Sequence, residues 1–320
     1  MNGVQPSRPP FIPGAPVPPD AAPDGPAALA PRPPSPLQEV NDPRFARRGL
    51  RLLLKRDDLL HPELVGNKWR KLAPNLRVAW ESGHRTVLTF GGAYSNHLRA
   101  TAAAGRLLGL GTVGIVRGEE LAGRPLNPSL ARCAADGMRL HFVTRADYRA
   151  YRDPERAGEL STRFGDCFTV PEGGSNAAAV QGCAELGREL AEAAERPDVV
   201  AVACGTGGTL AGLAAGLGSG RTALGVPVVR GGFLADEVRR LQGAAFGGPR
   251  GEWWLAEGFD HGGYARVPAP LAGFAADFSA RHRLPVLDTV HVAKMLYALT
   301  ELAGHGTFEE GTVLAAVITG

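Results

Sequence analysis

An apolar run ends in a glycine-rich turn at Val199-Val200-Ala201-Val202-Ala203-Cys204-Gly205-Thr206-Gly207-Gly208-Thr209, and small helix-forming residues follow it. The pattern predicts a buried strand, a turn and a helix. Backbone N–H groups and two hydroxyls at such a helix start form a cradle for phosphate. Leu210 stands where the dinucleotide fingerprint needs its third glycine, and the turn lacks the Gly-Lys-Ser/Thr of a P-loop. A single phosphate monoester therefore suits the turn better than a pyrophosphate, and a merely structural turn stays the alternative.

The same alternation of apolar runs and amphipathic stretches continues on both sides of this turn. The predicted strands are 52–54, 86–90, 112–116, 139–143, 199–204, 223–229 and 312–318. The predicted helices are 69–81, 96–108, 126–135, 176–194, 209–216, 235–241, 271–283 and 290–303. Strands that alternate with helices indicate an α/β fold whose parallel sheets are covered on both faces. Ligands of such sheets bind at the carboxyl ends of the strands.

Composition excludes two classes of partner. The chain has 320 residues and a net charge of +3 without a dense basic run, which argues against nucleic acid. No stretch of about 18 uncharged apolar residues is present, so we expect no membrane span. Thirteen of the 26 prolines lie in residues 1–36, a segment with too little apolar mass to offset its ordering entropy. We expect this segment to be a disordered tail rich in proline and alanine, with a proline-rich ligand for a partner as the alternative.

The cysteines and histidines indicate neither a disulfide framework nor a metal site. Cys133, Cys167, Cys183 and Cys204 show no close pairing, which is typical of free thiols in a reducing cytoplasm. The eight histidines are scattered without the spacing of metal ligands. We therefore expect a cytoplasmic protein without a metal centre.

Lysine is rare in this chain, with four residues, Lys55, Lys68, Lys71 and Lys294, against thirty-one arginines. Lys68 and Lys71 lie three residues apart at a predicted helix start, where the helix dipole disfavours cations. A bound phosphate or a carbonyl cofactor would explain both lysines. Two solvated surface lysines are the other interpretation.

Two further loops lead from a predicted strand into a predicted helix. In 90–97, glycines precede Ser95 and Asn96, either of which can cap the helix that follows. This serine lacks the Gly-x-Ser-x-Gly context of a nucleophile elbow. The loop 171–176 is again a glycine turn into a helix, and by itself it indicates a helix cap.

Together these loops resemble the pyridoxal-phosphate (PLP) enzymes of fold type II, within them the 1-aminocyclopropane-1-carboxylate (ACC) deaminase and D-cysteine desulfhydrase group. The resemblance extends from Pro34 almost to the end of the chain. It rests on the order and spacing of Lys55-Arg56-Asp57-Asp58, Gly66-Asn67-Lys68, Gly92-Ala93-Tyr94-Ser95-Asn96-His97, Pro171-Glu172-Gly173-Gly174-Ser175-Asn176 and the phosphate turn 205–209.

The resemblance implies a tryptophan synthase β-like architecture. Two three-layer α/β domains with mainly parallel sheets would hold PLP in the cleft between them. The large PLP-binding domain would comprise residues 37–73 and 170–320, and the smaller inserted domain residues 74–169. Members of the family form dimers, so a homodimer is expected by resemblance.

The resemblance also implies roles for single residues. Lys68 would bind PLP covalently and act as the base, and Ser95 would lie beside the amine and carboxylate of the substrate. Tyr264 is similar to a family tyrosine that faces the substrate, although a core aromatic is its alternative. The residues implied to hold the cofactor are Lys68, Lys71, Asn96, Gly205, Thr206, Gly207, Gly208, Thr209 and Thr319.

The C-terminal part departs from the family pattern. His291 replaces a family tyrosine, and Val292 replaces the residue expected near the pyridine nitrogen of PLP. A histidine can still transfer protons at neutral pH, whereas a valine offers no hydrogen bond. The chain also stops at Gly320, where the family continues, so we expect the strand end before Thr319 to be loose.

The implied function is that of a PLP-dependent deaminase or lyase acting on a small amino acid. It would resemble D-cysteine desulfhydrase or ACC deaminase and would give a keto acid and ammonia. The alternative is a PLP-binding relative whose catalysis is altered or lost because of His291, Val292 and the short C-terminus. A racemase or dehydratase of the same fold type is a narrower option.

Overall fold

A computed structural model describes residues 11–12, 25, 29, 31–64, 66–151 and 153–319. The chain divides into two compact units, unit 1 (Met1–Ala30 and Leu76–Gly174) and unit 2 (Pro31–Asn75 and Ser175–Gly320). The domain boundaries expected from the resemblance stay predictions. No helix in the described ranges is long and apolar enough to cross a membrane.

Eleven strands and eleven α-helices follow one another in the part of the chain that the structure describes. The strands are β1 (Phe11–Ile12), β2 (Leu37–Val40), β3 (Arg51–Lys55), β4 (Thr86–Gly91), β5 (Gly111–Arg117), β6 (Met138–Val143), β7 (Phe168–Val170), β8 (Val199–Cys204), β9 (Thr222–Pro227), β10 (Glu252–Leu255) and β11 (Val313–Val317). The helices are α1 (Pro43–Ala46), α2 (Lys68–Glu81), α3 (Asn96–Leu108), α4 (Pro128–Ala135), α5 (Arg145–Ala150), α6 (Pro154–Phe164), α7 (Ala177–Glu192), α8 (Gly208–Leu217), α9 (Leu234–Phe246), α10 (Ala269–His282) and α11 (Val292–Gly304).

Each unit is built on one sheet. The sheet of unit 1 has the strand order β1-β6-β5-β4-β7, and all of its pairs are parallel except β1 with β6. The sheet of unit 2 has the order β10-β9-β8-β11-β3-β2, and only β2 is antiparallel to its neighbour. The expected α/β class with mainly parallel sheets is confirmed.

The strands of unit 2 carry apolar side chains on both faces of their sheet, which explains why helices cover both faces. Successive side chains of a strand point to opposite faces, so a strand buried on both faces is apolar at every position. In β3, Leu52 and Leu54 pack in one core cluster with residues of α10 and α11. Leu53, between them, packs in a second cluster with residues of α7, α8 and α9.

The sheet of unit 1 is covered in the same way. Leu88 and Phe90 of β4 pack with Tyr148 of α5 and Leu160 of α6. On the other face, Leu140 and Phe142 of β6 join a cluster that holds residues of α3 and α4. Each unit is therefore a helix–sheet–helix sandwich with apolar residues on both faces of the sheet.

The expected tail, residues 1–36, lies largely outside the described residues. Within it, Phe11–Ile12 pairs with Leu140 and His141 of β6, and Leu29 is buried. At these described positions the segment is part of the folded structure, and its character elsewhere stays a prediction.

Candidate active site

The glycine-rich turn lies between β8 and α8 in unit 2, at the carboxyl edge of the parallel strands. Gly207, the residue before α8, has a φ of 74°, a left-handed conformation that favours glycine. No side-chain hydrogen bond caps α8 in the described structure, so its first N–H groups are available to a ligand. A Cβ on Gly208 would lie 2.6 Å from Ser175 Oγ and 3.2 Å from Lys71 Nζ. Two polar side chains thus converge on a turn where only glycine fits.

A chain of polar side chains joins α2 to this turn. The buried ammonium of Lys71 donates to Ser175 Oγ over 3.0 Å. Ser175 Oγ lies 2.6 Å from Thr206 Oγ1, within the turn. Burial lowers the pKa of Lys71 from its usual value. A cation, two hydroxyls and the N-terminus of a helix are therefore grouped together, which is the chemistry of a phosphate site.

Lys68 is the first residue of α2 and lies next to the same turn. Its half-buried ammonium donates to Asn67 Oδ1 over 2.8 Å, and Asn67 Nδ2 donates to Thr209 Oγ1 over 3.0 Å. Burial and the positive charge of Lys71 lower the pKa of Lys68 to about 8. A free amine is therefore accessible near neutral pH, as a lysine that reacts with a carbonyl group requires.

A buried ion network fixes the beginning of α2. Arg70, on the first turn of the helix, makes paired hydrogen bonds to both oxygens of Asp57, each 2.9 Å long. The same guanidinium reaches both oxygens of Glu189 in α7, again over 2.9 Å. Lys55 completes the network with a 2.6 Å ion pair to Glu189. The motif Lys55-Arg56-Asp57-Asp58 thus serves, through Lys55 and Asp57, to hold the helix that begins with Lys68.

His291 lies immediately before α11, in a pair with Asp288. His291 Nδ1 is 2.8 Å from Asp288 Oδ2, and Asp288 Oδ1 accepts a 2.7 Å hydrogen bond from the N–H of Val290. The ring of Tyr264 packs edge-to-face on the imidazole, with the centroids 5.9 Å apart. The structure therefore brings together Tyr264, which the resemblance places at the substrate, and His291, which replaces a family tyrosine.

The loop that carries Tyr264 is held by the fourth lysine. Lys294 in α11 is fully buried, and its ammonium donates to the carbonyl of Asp260 over 2.7 Å and to that of Gly263 over 2.8 Å. His261 and Ala265 in this loop have φ values of 52° and 58°, which are unfavourable for residues with a side chain. The Lys294 hydrogen bonds stabilise a backbone that the loop sequence alone disfavours.

Ser95 and Asn96 lie in unit 1. Ser95 is the N-cap of α3, and its Oγ accepts a 3.2 Å hydrogen bond from the N–H of Leu98. A Cβ on Gly91 would lie 2.7 Å from Ser95 Oγ, which explains the glycine at the end of β4. The capping interpretation of this loop is confirmed for Ser95, and the contacts with substrate and cofactor expected for Ser95 and Asn96 stay predictions.

Val292 lies fully buried in the apolar cluster on the α10 and α11 face of the unit 2 sheet, and its expected place near the pyridine nitrogen stays a prediction. One expectation about the C-terminal segment needs correction. The expectation that the strand end before Thr319 is loose is wrong, because the chain after β11 is buried and hydrogen-bonded. Ile318 donates to Lys55 O and accepts from Asp58 N, both over 2.9 Å, and Thr319 O accepts from the Asn67 N–H over 3.3 Å.

Some polar residues of the site escaped the sequence-based interpretation. The loop 171–176 indicates a helix cap, which Asn176 forms, but its Ser175 also links Lys71 to Thr206, and the sequence did not show this. The sequence pattern assigns no role to Asp288. It likewise assigns none to Asn67, which precedes the key lysine. The partners of these three residues are distant in sequence or lie across a turn. The sequence offers one indication of their roles, which is that each lies close to a residue of a predicted site motif.

The donor set fits PLP. The cofactor needs an amine for its aldehyde and a cradle for its phosphate, and Lys68 and the turn 205–209 are linked through the Asn67–Thr209 hydrogen bond. Glycine at position 208 leaves free the space into which Lys71 and Ser175 point. Lys71, Ser175 and Thr206 would hold the phosphate, and Lys68 would bind the aldehyde carbon.

Known proteins resemble this chain over most of its length. Residues 31–320 match the family model described as pyridoxal-phosphate dependent enzyme. A putative ACC deaminase of Pyrococcus horikoshii is 30% identical over 287 residues, which are 86% of each chain. The mitochondrial bifunctional D-cysteine desulfhydrase/ACC deaminase of Arabidopsis thaliana is 34% identical over 198 residues, or 57% of this chain. That alignment spans 49% of the Arabidopsis protein, about half of its length.

A solved structure agrees with these matches. The crystal structure of an ACC deaminase homologue is similar in fold, with a TM-score of 0.77 and 28% identity, over 91% of this chain and 90% of that one. The matched region includes Lys68 and the turn 205–209. Because the family model covers nearly the whole chain and the donor set suits its cofactor, this chain belongs to the pyridoxal-phosphate dependent enzymes, and its cofactor is PLP.

Proposed function

We propose that this protein is a PLP-dependent deaminase or lyase that converts a small amino acid into a keto acid and ammonia. D-cysteine, D-serine and ACC are the substrates to examine first, since the relatives are named for D-cysteine desulfhydrase and ACC deaminase activities. One observation carries the proposal. An amine with a pKa of about 8 is held beside a phosphate turn by a 3.0 Å hydrogen bond between Asn67 and Thr209.

Bound PLP supplies an electron sink for the α-carbon of an amino acid. The chain itself supplies the proton transfers and the positioning. Lys68, as a free amine in a partly desolvated site, can accept the α-proton. Lys71, Ser175 and Thr206 would hold the phosphate group near Lys68, because α2 carries both lysines within its first turns.

The remaining predicted residues complete this assignment as proposals. Tyr264 and His291 face the substrate, Ser95 lies beside its amine and carboxylate, and Asn96 binds the ring hydroxyl of PLP. Thr319 reaches the ring nitrogen. The support for Thr319 is that its carbonyl accepts from Asn67, the residue before Lys68.

The first experiment is absorbance spectroscopy of the purified protein with PLP. We expect a yellow chromophore in the wild type and its loss in Lys68→Ala and in Lys68→Arg, since an arginine keeps the charge but forms no imine. Arg239→Ala, on the exposed face of α9, is the matched control that keeps the chromophore. A Lys68→Ala protein that is as yellow as the wild type would refute the assignment of the lysine.

Turnover is the second experiment. Keto acid formation from D-cysteine, D-serine or ACC supports the deaminase or lyase, and it is measured with a coupled dehydrogenase. A yellow protein that forms no keto acid from any of them contradicts the proposal and favours a PLP-binding relative with lost catalysis. In that case the double change His291→Tyr and Val292→Thr tests whether the departures from the family are the cause.

We also propose an oligomeric state and a type of cellular compartment for this protein. The resemblance to dimeric enzymes supports a homodimer, which light scattering on the holoenzyme tests directly. A reducing compartment such as the cytoplasm is supported by four buried cysteines that form no disulfide bond in the described structure. A monomeric holoenzyme would contradict the first of these proposals.

A further inference from the structure

Asp288 and His291 form a largely enclosed pair at the start of α11. The distance from His291 Nδ1 to Asp288 Oδ2 is 2.8 Å, and the side chains of His291 and Asp288 are 18% and 15% exposed. The second oxygen of Asp288 is fixed by the N–H of Val290 at 2.7 Å. The carboxylate therefore has a fixed orientation and directs one oxygen at Nδ1 of the imidazole.

Charged groups surround this pair on several sides. Asp288 interacts electrostatically with Lys68, Lys294 and His291, and Tyr264 packs on the imidazole ring. Burial alone would raise the pKa of Asp288, but His291, the Val290 N–H and Lys68 lower it below its usual value. Asp288 is consequently a carboxylate at neutral pH, in the electrostatic neighbourhood of the PLP lysine.

We propose that Asp288 is a positioning residue which keeps a proton on His291 Nδ1, and that the pair delivers a proton from Nε2 to the group leaving Cβ of the substrate. The inference rests on the proposed function and goes beyond it by assigning the proton donor. A carboxylate on Nδ1 fixes the tautomer and the ring orientation of a histidine. The family tyrosine at this position would offer no such pair.

The proton transfers balance for a substrate with a β-hydroxyl group. The Cα–H bond breaks, its proton goes to the amine of Lys68 and its electron pair forms the Cα=Cβ double bond. The Cβ–O bond breaks with its electron pair going to the oxygen, which takes the Nε2 proton of the imidazolium. Water leaves, and His291 is neutral with its remaining proton on Nδ1, donated to Asp288. No oxidant or reductant is needed.

The leaving group decides how much this donor contributes. Hydroxide is a poor leaving group because water has a pKa of about 15.7, so its departure needs a proton. The group that leaves D-cysteine is hydrosulfide, a much weaker base than hydroxide, and it can leave as an anion near neutral pH. The pair is therefore required for D-serine and nearly dispensable for D-cysteine.

The first test is NMR on apo-protein labelled with ¹⁵N-histidine, where two-bond correlations report the tautomer. His291→Gln assigns the signal of His291. We expect the proton on Nδ1 in neutral His291 of the wild type, and a shift of population towards Nε2–H in Asp288→Asn. This readout needs neither substrate nor activity, and a purely structural role of Asp288 in the turn would leave the tautomer unchanged.

The second test compares kcat and KM for the two substrates. In Asp288→Asn and His291→Gln, kcat for D-serine falls about 100-fold, as for loss of a general acid, whereas kcat for D-cysteine changes less than about threefold. Asp288→Glu restores part of the D-serine activity because it restores a carboxylate. Asp236→Asn, an exposed acid on α9, is the control with unchanged kinetics.

The outcomes separate this inference from the proposed function. Equal losses for both substrates, or a wild-type His291 that carries its proton on Nε2, overturn the inference while the deaminase or lyase stands. A yellow wild type that converts neither substrate removes the donor role together with the proposed function. The tautomer measurement then decides alone whether Asp288 positions His291.

Discussion

At the residue scale, the chemistry of the site depends on two like charges that share one buried region. Lys68 and Lys71 lie one helical turn apart; burial lowers the pKa of both amines, and the charge of Lys71 lowers that of Lys68 further. Burial of the site and the charge of Lys71 both favour the neutral form of Lys68, while Asp288 favours the charged form. Together these effects bring the pKa of the Lys68 amine to about 8, so the site needs no dedicated base to deprotonate it.

The rate at which the apo-protein binds a carbonyl compound should follow this balance. Only the neutral amine attacks an aldehyde, so the rate of imine formation rises with pH and levels off above about pH 8, the pKa of Lys68. Pyridoxal, which lacks the phosphate group, is the ligand of choice, and stopped-flow absorbance is the measurement. Lys71→Gln removes a positive charge and should move the profile to higher pH. A rate that does not change between pH 6 and pH 10 would contradict the assignment.

At the element scale, the phosphate turn is supported by two helices that touch through their backbones. A Cβ on Gly216 of α8 would lie 2.0 Å from Ala184 O in α7, and one on Gly212 would lie 2.3 Å from Val180 O. These glycines cannot be replaced without moving α7 from α8. Because α8 begins at the turn, its position sets the direction of the N–H groups that face the phosphate.

Gly216→Ala should therefore destabilise the protein by about 1–3 kcal/mol, the usual cost of overpacking. Gly243→Ala is the matched control, since Gly243 lies in α9 and a Cβ there meets nothing within 4 Å. The control should stabilise the protein by about 0.5–1 kcal/mol through helix propensity. Thermal unfolding followed by circular dichroism measures both. Equal melting temperatures for the two variants would show that the close contact is absent.

The helices and strands also show which element bounds can be predicted from the sequence alone. The bounds of β8 and α3 agree with their predictions at 199–204 and 96–108, because an unbroken apolar run and a Ser cap mark their ends. The short edge strand β10 and the polar helices α5 and α6 were missed, since Glu252–Leu255 is too short for a period and polar helices show little apolar pattern.

The same limit applies to the site. Lys68, Lys71 and the glycine turn are visible because lysine is rare and glycine is required. The Lys71–Ser175 hydrogen bond joins residues 104 positions apart, so it depends on the packing of α2 against the loop before α7. The Asp288–His291 pair spans three positions, but its geometry depends on a turn that the sequence pattern does not specify.

At the scale of the whole molecule, the four lysines are buried or half-buried, and arginine carries the exposed positive charge. Lys55, Lys71 and Lys294 are 2%, 4% and 0% exposed and engaged in hydrogen bonds or ion pairs, and Lys68 is half-buried. Arginine cannot form an imine, so the surface offers no competing side-chain amine to an aldehyde.

Excess PLP followed by borohydride should therefore modify one lysine in the native protein, apart from the terminal α-amino group. Peptide mapping by mass spectrometry locates the label, which we expect on Lys68. The denatured protein is the control, and there all four lysines become reactive. Labelling of Lys55, Lys71 or Lys294 in the native state would contradict their burial.

The position of β11 in the unit 2 sheet has a consequence for synthesis on the ribosome. β11 pairs with β8 on one side and β3 on the other, although it lies more than 250 residues after β3. Until residues 313–317 have emerged, β10-β9-β8 and β3-β2 remain separate pieces with open edges. The carbonyl that anchors Asn67, beside the PLP lysine, also follows β11. A nascent chain therefore acquires its complete cofactor site only after residues 313–319 have emerged, and a product that terminates before them lacks it.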